Sequence, residues 1–167
     1  FGEHQGKNAA CAIAAISCLP EKNKIGINEM LAGLAKTRIP ARLEVVSKKP
    51  LVVMDAAHNP QAIGILAKSL PLFERKRLVL VFGSMADKDI GGMLAVLGPL
   101  ADGIVVTQPR VNRAAIAGDV ERIAEKYCKK VKVIADVRES FEYAKQWAGA
   151  DGMVLITGSI YMISELR

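Results

Sequence analysis

Apolar residues recur along this chain in two rhythms. Over residues 8–19 they occupy every side of a helix, an Ala-rich run that predicts a buried helix ending before Pro20. Residues 21–26 form a polar connection. Asn28 is placed to cap a second helix through Ala35, with Glu29 in its first turn. Residues 37–40 read as a linker, and beyond them the rhythm changes. Two short β-rich runs, 43–46 and 51–55, flank the turn Ser47-Lys48-Lys49-Pro50 and predict a hairpin. A regular alternation follows: helix 60–70 and strand 77–82, helix 89–97 and strand 103–107, helix 116–128 and strand 131–134. Helix 140–148 then precedes strand 152–157, and a last helix starts near Ser159.

Strand and helix alternating at this spacing mean βαβ units and a mostly parallel sheet. Runs such as Leu78-Val79-Leu80-Val81-Phe82 are apolar throughout, as a sheet covered by helices on both faces requires. The predicted fold is an α/β, Rossmann-like domain from about Ala41 onward, preceded by a short helical segment.

Composition narrows the classes. A length of 167 residues suffices for one domain with its own core and a short appendage. No apolar run approaches the length of a membrane span, and no segment is laid out as a secretory signal. No membrane partner is expected, and the cytoplasm is the expected compartment. Phe1 is not an initiator Met, so the chain is expected to come from a longer one. The net charge of +6 suits an anionic ligand. The basic residues are scattered, however, and aromatics make up 5%, too few for a base-stacking platform, so no nucleic-acid partner is expected. Cys11, Cys18 and Cys128 form no CxxC pair and neither histidine extends a ligand cluster, so no metal site is predicted. Cys11 and Cys18, seven apart on one face of the first helix, read as buried small hydrophobes in a reduced compartment.

In an open parallel sheet, ligands bind beyond the carboxyl ends of the strands. Four segments end strands there. In Asp55-Ala56-Ala57-His58-Asn59-Pro60, a strand delivers Asp55 to its end, and Asn59 with Pro60 can start a helix. His58 then lies beside free helix amides that attract anions. Asp55 can accept ribose hydroxyls, or simply bond nearby amides. In Thr157-Gly158-Ser159, glycine permits close backbone approach, and Ser159 can bind a ligand or serve as a plain cap. In Gly83 to Asp89, Asp87 or Asp89 can cap the next helix, and Lys88 reads better as a solvated lysine than as a phosphate ligand. Arg110 and Arg113 follow a further strand and offer a grip for a carboxylate, or ordinary surface charge. Arg42, at the junction of the two regions, can reach a ligand or join a surface ion pair. There is no GxxxxGK[ST] loop, no GxGxxG fingerprint and no acid pair with magnesium spacing.

These segments together resemble one family, the folylpolyglutamate synthases (dihydrofolate synthases) of the Mur ligase superfamily. His4-Gln5 with Asn8-Ala9-Ala10 resembles its HQxxNAA segment, and Pro40-Ala41-Arg42-Leu43-Glu44 its PGRxE segment. Asp55 to Pro60 resembles DGAHNP, Gly83 with Asp87-Lys88-Asp89 resembles G…DKD, Arg113-Ala114 an RA pair, and Thr157 to Tyr161 the segment TGSLY. The resemblance implies an ATP-dependent ligase that activates a folate or dihydropteroate carboxylate as an acyl phosphate for attack by L-glutamate. It implies that 1–39 end a central ATPase domain and that 40–167 form the Rossmann-like C-terminal domain. ATP and Mg2+ are the implied cofactors, with the magnesium ligands and P-loop in the N-terminal domain. It matches Asn8, Arg42 and Asp55 to ATP contacts, His58 and Ser159 to glutamate binding, and Arg42 with His58 to catalysis. Ala41 and Ala56 replace family glycines, which alanine tolerates where φ stays negative. A Mur-type cell-wall ligase domain and a non-catalytic nucleotide-binding module are the alternatives.

Overall fold

The structure is a computed structural model that describes residues 3–167, with the side chains of Glu3 and His4 outside the description. Phe1, read above as an internal residue, and the side chain of the motif residue His4 thus lie outside the described residues. The chain forms two compact units, Phe1–Pro40 and Ala41–Arg167.

The first unit holds α1 (Glu3–Ser17) and α2 (Ile27–Lys36). The cap of α2 is Gly26, without a side-chain bond, and Asn28 falls inside the helix. The expected burial of α1 is not met among the described residues, which are exposed or half-exposed along its length. Cys11 and Cys18, expected to be buried, are likewise exposed, while Cys128, in the second unit, is buried. A helix apolar on all sides needs cover on all sides, and no described residue of this unit supplies it.

The second unit runs β1 (Glu44–Lys48), β2 (Leu51–Met54), α3 (Pro60–Ser69), β3 (Leu78–Phe82), α4 (Ile90–Leu97) and β4 (Gly103–Val106). It continues with α5 (Ala117–Ala124), β5 (Val131–Val133), α6 (Val137–Ala148), β6 (Met153–Thr157) and α7 (Ile160–Ser164). One six-stranded sheet has the order β1-β2-β6-β3-β4-β5. The hairpin partner β1 is antiparallel, and every other pairing is parallel. The α/β, Rossmann-like prediction therefore holds.

Helices cover both faces. Val53, Leu80, Phe82 and Leu155 point to one side, where Ile63, Leu66, Met93, Leu94 and Val120 of α3, α4 and α5 pack on them. Val52, Val79, Val81, Val154 and Ile156 point to the other, under Val137, Ala144 and Met162 of α6 and α7. This alternation explains why the strand sequences are apolar at every position. No described helix is long and apolar enough to cross a membrane.

The first helix starts at Glu3 rather than residue 8, and in the second unit two element ends differ from expectation by three residues or more. The α6 helix starts at Val137 rather than Ser140, because Asp136 accepts hydrogen bonds at 2.9 Å from the N–H groups of Arg138 and Glu139. Ser140 is buried within the helix and donates to the Val137 carbonyl. The α5 helix ends at Ala124, yet the Cys128 N–H still reaches the Ala124 carbonyl at 3.0 Å, so the last turn continues the helical path.

The last strand, β6, inserts between β2 and β3. That insertion sets the carboxyl ends of β2, β6, β3 and β4 side by side in one row.

Candidate functional site

The loops that leave this row are joined to one another by main-chain bonds. The Ala57 carbonyl, after β2, accepts from Gly158 N–H at 3.0 Å and from the Thr157 hydroxyl at 3.2 Å, both at the end of β6. Gly158 has φ of 108°, and a Cβ there would lie 2.6 Å from the Gly83 carbonyl oxygen after β3. Only glycine lets these two loops approach so closely. The β3 and β4 loops are paired in turn: Ala86 N–H donates to Arg113 and Ala115 N–H to Ser84, each at 2.9 Å. The result is a continuous polar rim above an apolar sheet.

Asp55 lies just past β2 and is 6% exposed. One carboxylate oxygen accepts from Ala57 N–H and the other from Leu43 N–H, both at 2.9 Å. The acid that the resemblance assigns to the nucleotide is thus engaged by two amides of its own chain. Its visible work is to hold the segment Ala41-Arg42-Leu43 against the strand end. The Ala56 N–H adds a 2.8 Å bond to the Ala41 carbonyl, and Ala41 N–H donates to Glu44 Oε2 at 2.7 Å.

The condition for tolerating alanine in place of glycine is met at Ala56 and not at Ala41. Ala41 has φ of 54° and Leu43 of 47°, both left-handed, whereas Ala56 keeps an ordinary conformation. Each left-handed L-residue costs about 1–2 kcal/mol, and such a cost persists only where neighbours enforce it. The enforcing bonds are those just described, together with the buried Leu43 side chain in the core. Between its two fixed neighbours, Arg42 is exposed, and its guanidinium makes no hydrogen bond or ion pair with any described residue. The surface ion pair considered for Arg42 is absent among the described residues.

His58 is exposed at the next turn of the rim. Its Nδ1 lies 2.9 Å from the Ala56 carbonyl, so Nδ1 carries the proton and donates. Nε2 makes no hydrogen bond to a described residue. The N–H groups of His58 and Asn59 donate to no described residue. Asn59 caps α3 through Ala62 N–H at 2.8 Å, with Pro60 in the first turn, as expected. An exposed imidazole, free amides and a free guanidinium on one rim suit an anion.

Ser159 is 2% exposed, and its hydroxyl oxygen accepts from Tyr161 N–H at 3.1 Å, the cap of α7. Among the two capping acids considered, Asp89 caps α4 and Asp87 pairs with Lys88 at 2.9 Å. The Lys88 bond, helped by the Arg113 charge, holds the Asp87 carboxyl below the usual carboxylate range. Arg110 is tied to Asp136 at 2.6 Å, and its N–H bonds Glu165. Arg113 makes no such bond and stays available.

The structure therefore brings Arg42, Asp55, His58 and Ser159 to one rim of the second unit. Asn8 stands on α1 of the first unit, exposed, its amide donating to Gln5 at 3.1 Å. Glu44 enters the sequence reading only as the last residue of the 40–44 segment, with no role of its own; its bond to the Ala41 amide has no signal in the sequence. Arg110, Arg138 and Tyr161 line a cleft of about 350 Å³ beside the rim. A larger depression of about 470 Å³, lined by Phe73 to Leu78, lies at the amino end of β3, away from the expected residues. Among the described residues, no three His, Cys, Asp or Glu side chains gather to hold a metal ion.

Residues 41–160 match the family described as Mur ligase, glutamate ligase domain. A probable bifunctional folylpolyglutamate synthase/dihydropteroate synthase of Halobacterium salinarum is 35% identical over 170 residues, covering 100% of this chain and 20% of that protein. A dihydrofolate synthase/folylpolyglutamate synthase of Bacillus subtilis is 32% identical over 170 residues, covering 100% and 39%. Mycobacterium tuberculosis folylpolyglutamate synthase, solved with ADP and AMPPCP, superposes with a TM-score of 0.87 at 31% identity, over 99% of this chain and 40% of that one. The chain thus spans well under half the length of each.

Proposed function

The chain belongs to the Mur ligase, glutamate ligase domain family, and from that premise we propose that it is the C-terminal part of an ATP-dependent ligase adding L-glutamate to folate, a folylpolyglutamate synthase. In the same reading the enzyme also accepts dihydropteroate, as a dihydrofolate synthase. Residues 40–167 form its C-terminal domain, 1–39 end its central ATPase domain, and it works in the cytoplasm. The names of the two relatives and the nucleotides bound to the Mycobacterium tuberculosis enzyme support this. The observation that carries it is Arg42: an unpartnered guanidinium on a strained turn that is hydrogen-bonded to the loop carrying His58.

ATP, when bound, supplies the phosphoryl group that activates the acceptor carboxylate for the glutamate amine. Arg42 meets negative charge on the phosphates, and a fixed cation stabilises charge that develops there without reorganising. His58, with Nδ1 anchored, turns Nε2 toward glutamate, where it donates to a carboxylate when protonated and accepts a proton when neutral. Asp55 serves the nucleotide site by fixing the Arg42 turn. Ser159 serves the glutamate site by capping α7 and holding the β6 loop in place. Asn8 is a proposed ATP contact on the family resemblance alone. Magnesium, which balances the phosphate charge, is assigned ligands in the ATPase domain.

The test is ADP release by the full-length enzyme on adding L-glutamate, with dihydropteroate, tetrahydrofolate or a UDP-muramoyl peptide as acceptor. Release with a pterin acceptor is expected, and Arg42→Ala should lower kcat by roughly 100-fold, the scale of one preorganised charge contact. His58→Ala should raise KM for glutamate. Near-normal turnover in both variants refutes the site. Release only with the UDP-sugar moves the enzyme to the cell-wall ligases, and silence with all three leaves a nucleotide-binding module.

A further inference from the structure

Arg42 is presented by a turn whose conformation it does not determine. Both its neighbours, Ala41 and Leu43, are L-residues at positive φ, and the turn makes three hydrogen bonds to groups around it. Two of those partners, Asp55 and the Ala56 N–H, lie on the strand-end loop. The third is the Glu44 carboxylate, which accepts from Ala41 N–H at 2.7 Å and also receives the Arg167 guanidinium. Glu44 is half-buried at the start of β1, where its Cα pairs with Met54 at the end of β2. It is therefore anchored to the sheet at one end and to the strained residue at the other.

We propose that Glu44 is the positioning residue for Arg42, acting through the Ala41 amide and touching neither nucleotide nor substrate. Left-handed alanine is an unfavourable state, and removing one of its enforcing bonds, the one at its own N–H, shifts it toward the right-handed form. Reversion at Ala41 rotates the chain immediately before Arg42 and swings the guanidinium off the rim. Gln at position 44 keeps an oxygen acceptor for the amide while losing the charge, so it preserves the aim. Ala keeps nothing.

The inference rests on the ligase reading for its kinetic half and on the structure alone for its conformational half, so two measurements are made. The first is amide exchange of Ala41 in the full-length enzyme without nucleotide. Glu44→Ala should speed it at least about tenfold and Glu44→Gln much less; unchanged protection in Glu44→Ala overturns the clamp whatever the enzyme does. The second is a double-mutant cycle in the full-length enzyme, reading glutamate-dependent kcat. Glu44→Ala should cost roughly 10- to 100-fold when Arg42 is present and less than about twofold on an Arg42→Ala background. Glu44→Gln should recover most of the loss. An equal cost on both backgrounds would reveal a general stability role and overturn the proposal, as would no cost on either. A wild-type enzyme that releases no ADP with glutamate brings down the ligase reading instead, and the exchange result still decides the clamp.

Discussion

Replacing Asp55 separates a nucleotide ligand from an internal clamp. The carboxylate is 6% exposed and accepts from two buried main-chain donors, Leu43 N–H and Ala57 N–H. A hydrogen bond to a charged group contributes about 1.5–3 kcal/mol, and a buried donor left without a partner loses at least that much. Asp55→Ala strands both donors, so the expected cost is about 3–6 kcal/mol. Asn retains one oxygen but turns an NH2 toward the second amide, which places Asp55→Asn near 2–3 kcal/mol. Against a total stability of about 5–15 kcal/mol, the Ala variant is a large loss. Urea unfolding without nucleotide, followed by fluorescence of Trp147, the only tryptophan, reads it directly. A residue whose whole role is to touch ATP from the rim leaves the nucleotide-free protein unchanged. A cost below about 1 kcal/mol for Asp55→Ala therefore refutes the clamp and returns Asp55 to direct nucleotide contact.

Two further outcomes follow from the same rim. Gly158→Ala must place a side chain at φ of 108° and a Cβ 2.6 Å from the Gly83 carbonyl; it should destabilise by about 3 kcal/mol or more, and an unchanged urea midpoint would contradict the close approach of the two loops. Asp136 has its carboxyl held below the usual range, first by the Glu139 N–H and then by Arg110. A lowered folded-state value stabilises the fold above the unfolded-state value and is lost as pH falls through the lowered one. Asn caps about as well as Asp, so the gap between wild-type and Asp136→Asn urea midpoints should be widest at neutral pH and close on acidification; a gap constant into acid refutes the charge argument.

The sheet was legible because a doubly covered strand leaves a simple trace, a continuous apolar run that stops where the polar rim begins. That stop is also why Asp55, His58 and Ser159 were found together with no view of the fold. What the chain does not display is which polar atom is already engaged. Asp55 reads equally as ligand or turn former until Leu43, twelve positions earlier, is seen to donate to it. The left-handed φ of Ala41 is hidden for the same reason, since an alanine looks free to stay right-handed until Glu44, Asp55 and Ala56 close on its segment. The start of α6 is a different case. Asp136 with Glu139 three residues on is a capping pattern, and Ser140 inside an apolar stripe is the weaker cap. Local chemistry there outranked the polar residue that was chosen. The exposed α1 shows the converse limit, because an apolar face states that cover is required and not which residues provide it. The rim thus divides into positions set by strand ends, which sequence pattern can find. The others are set by long-range bonds to main-chain amides, and it is these that decide whether an arginine such as Arg42 stands free to meet an anion.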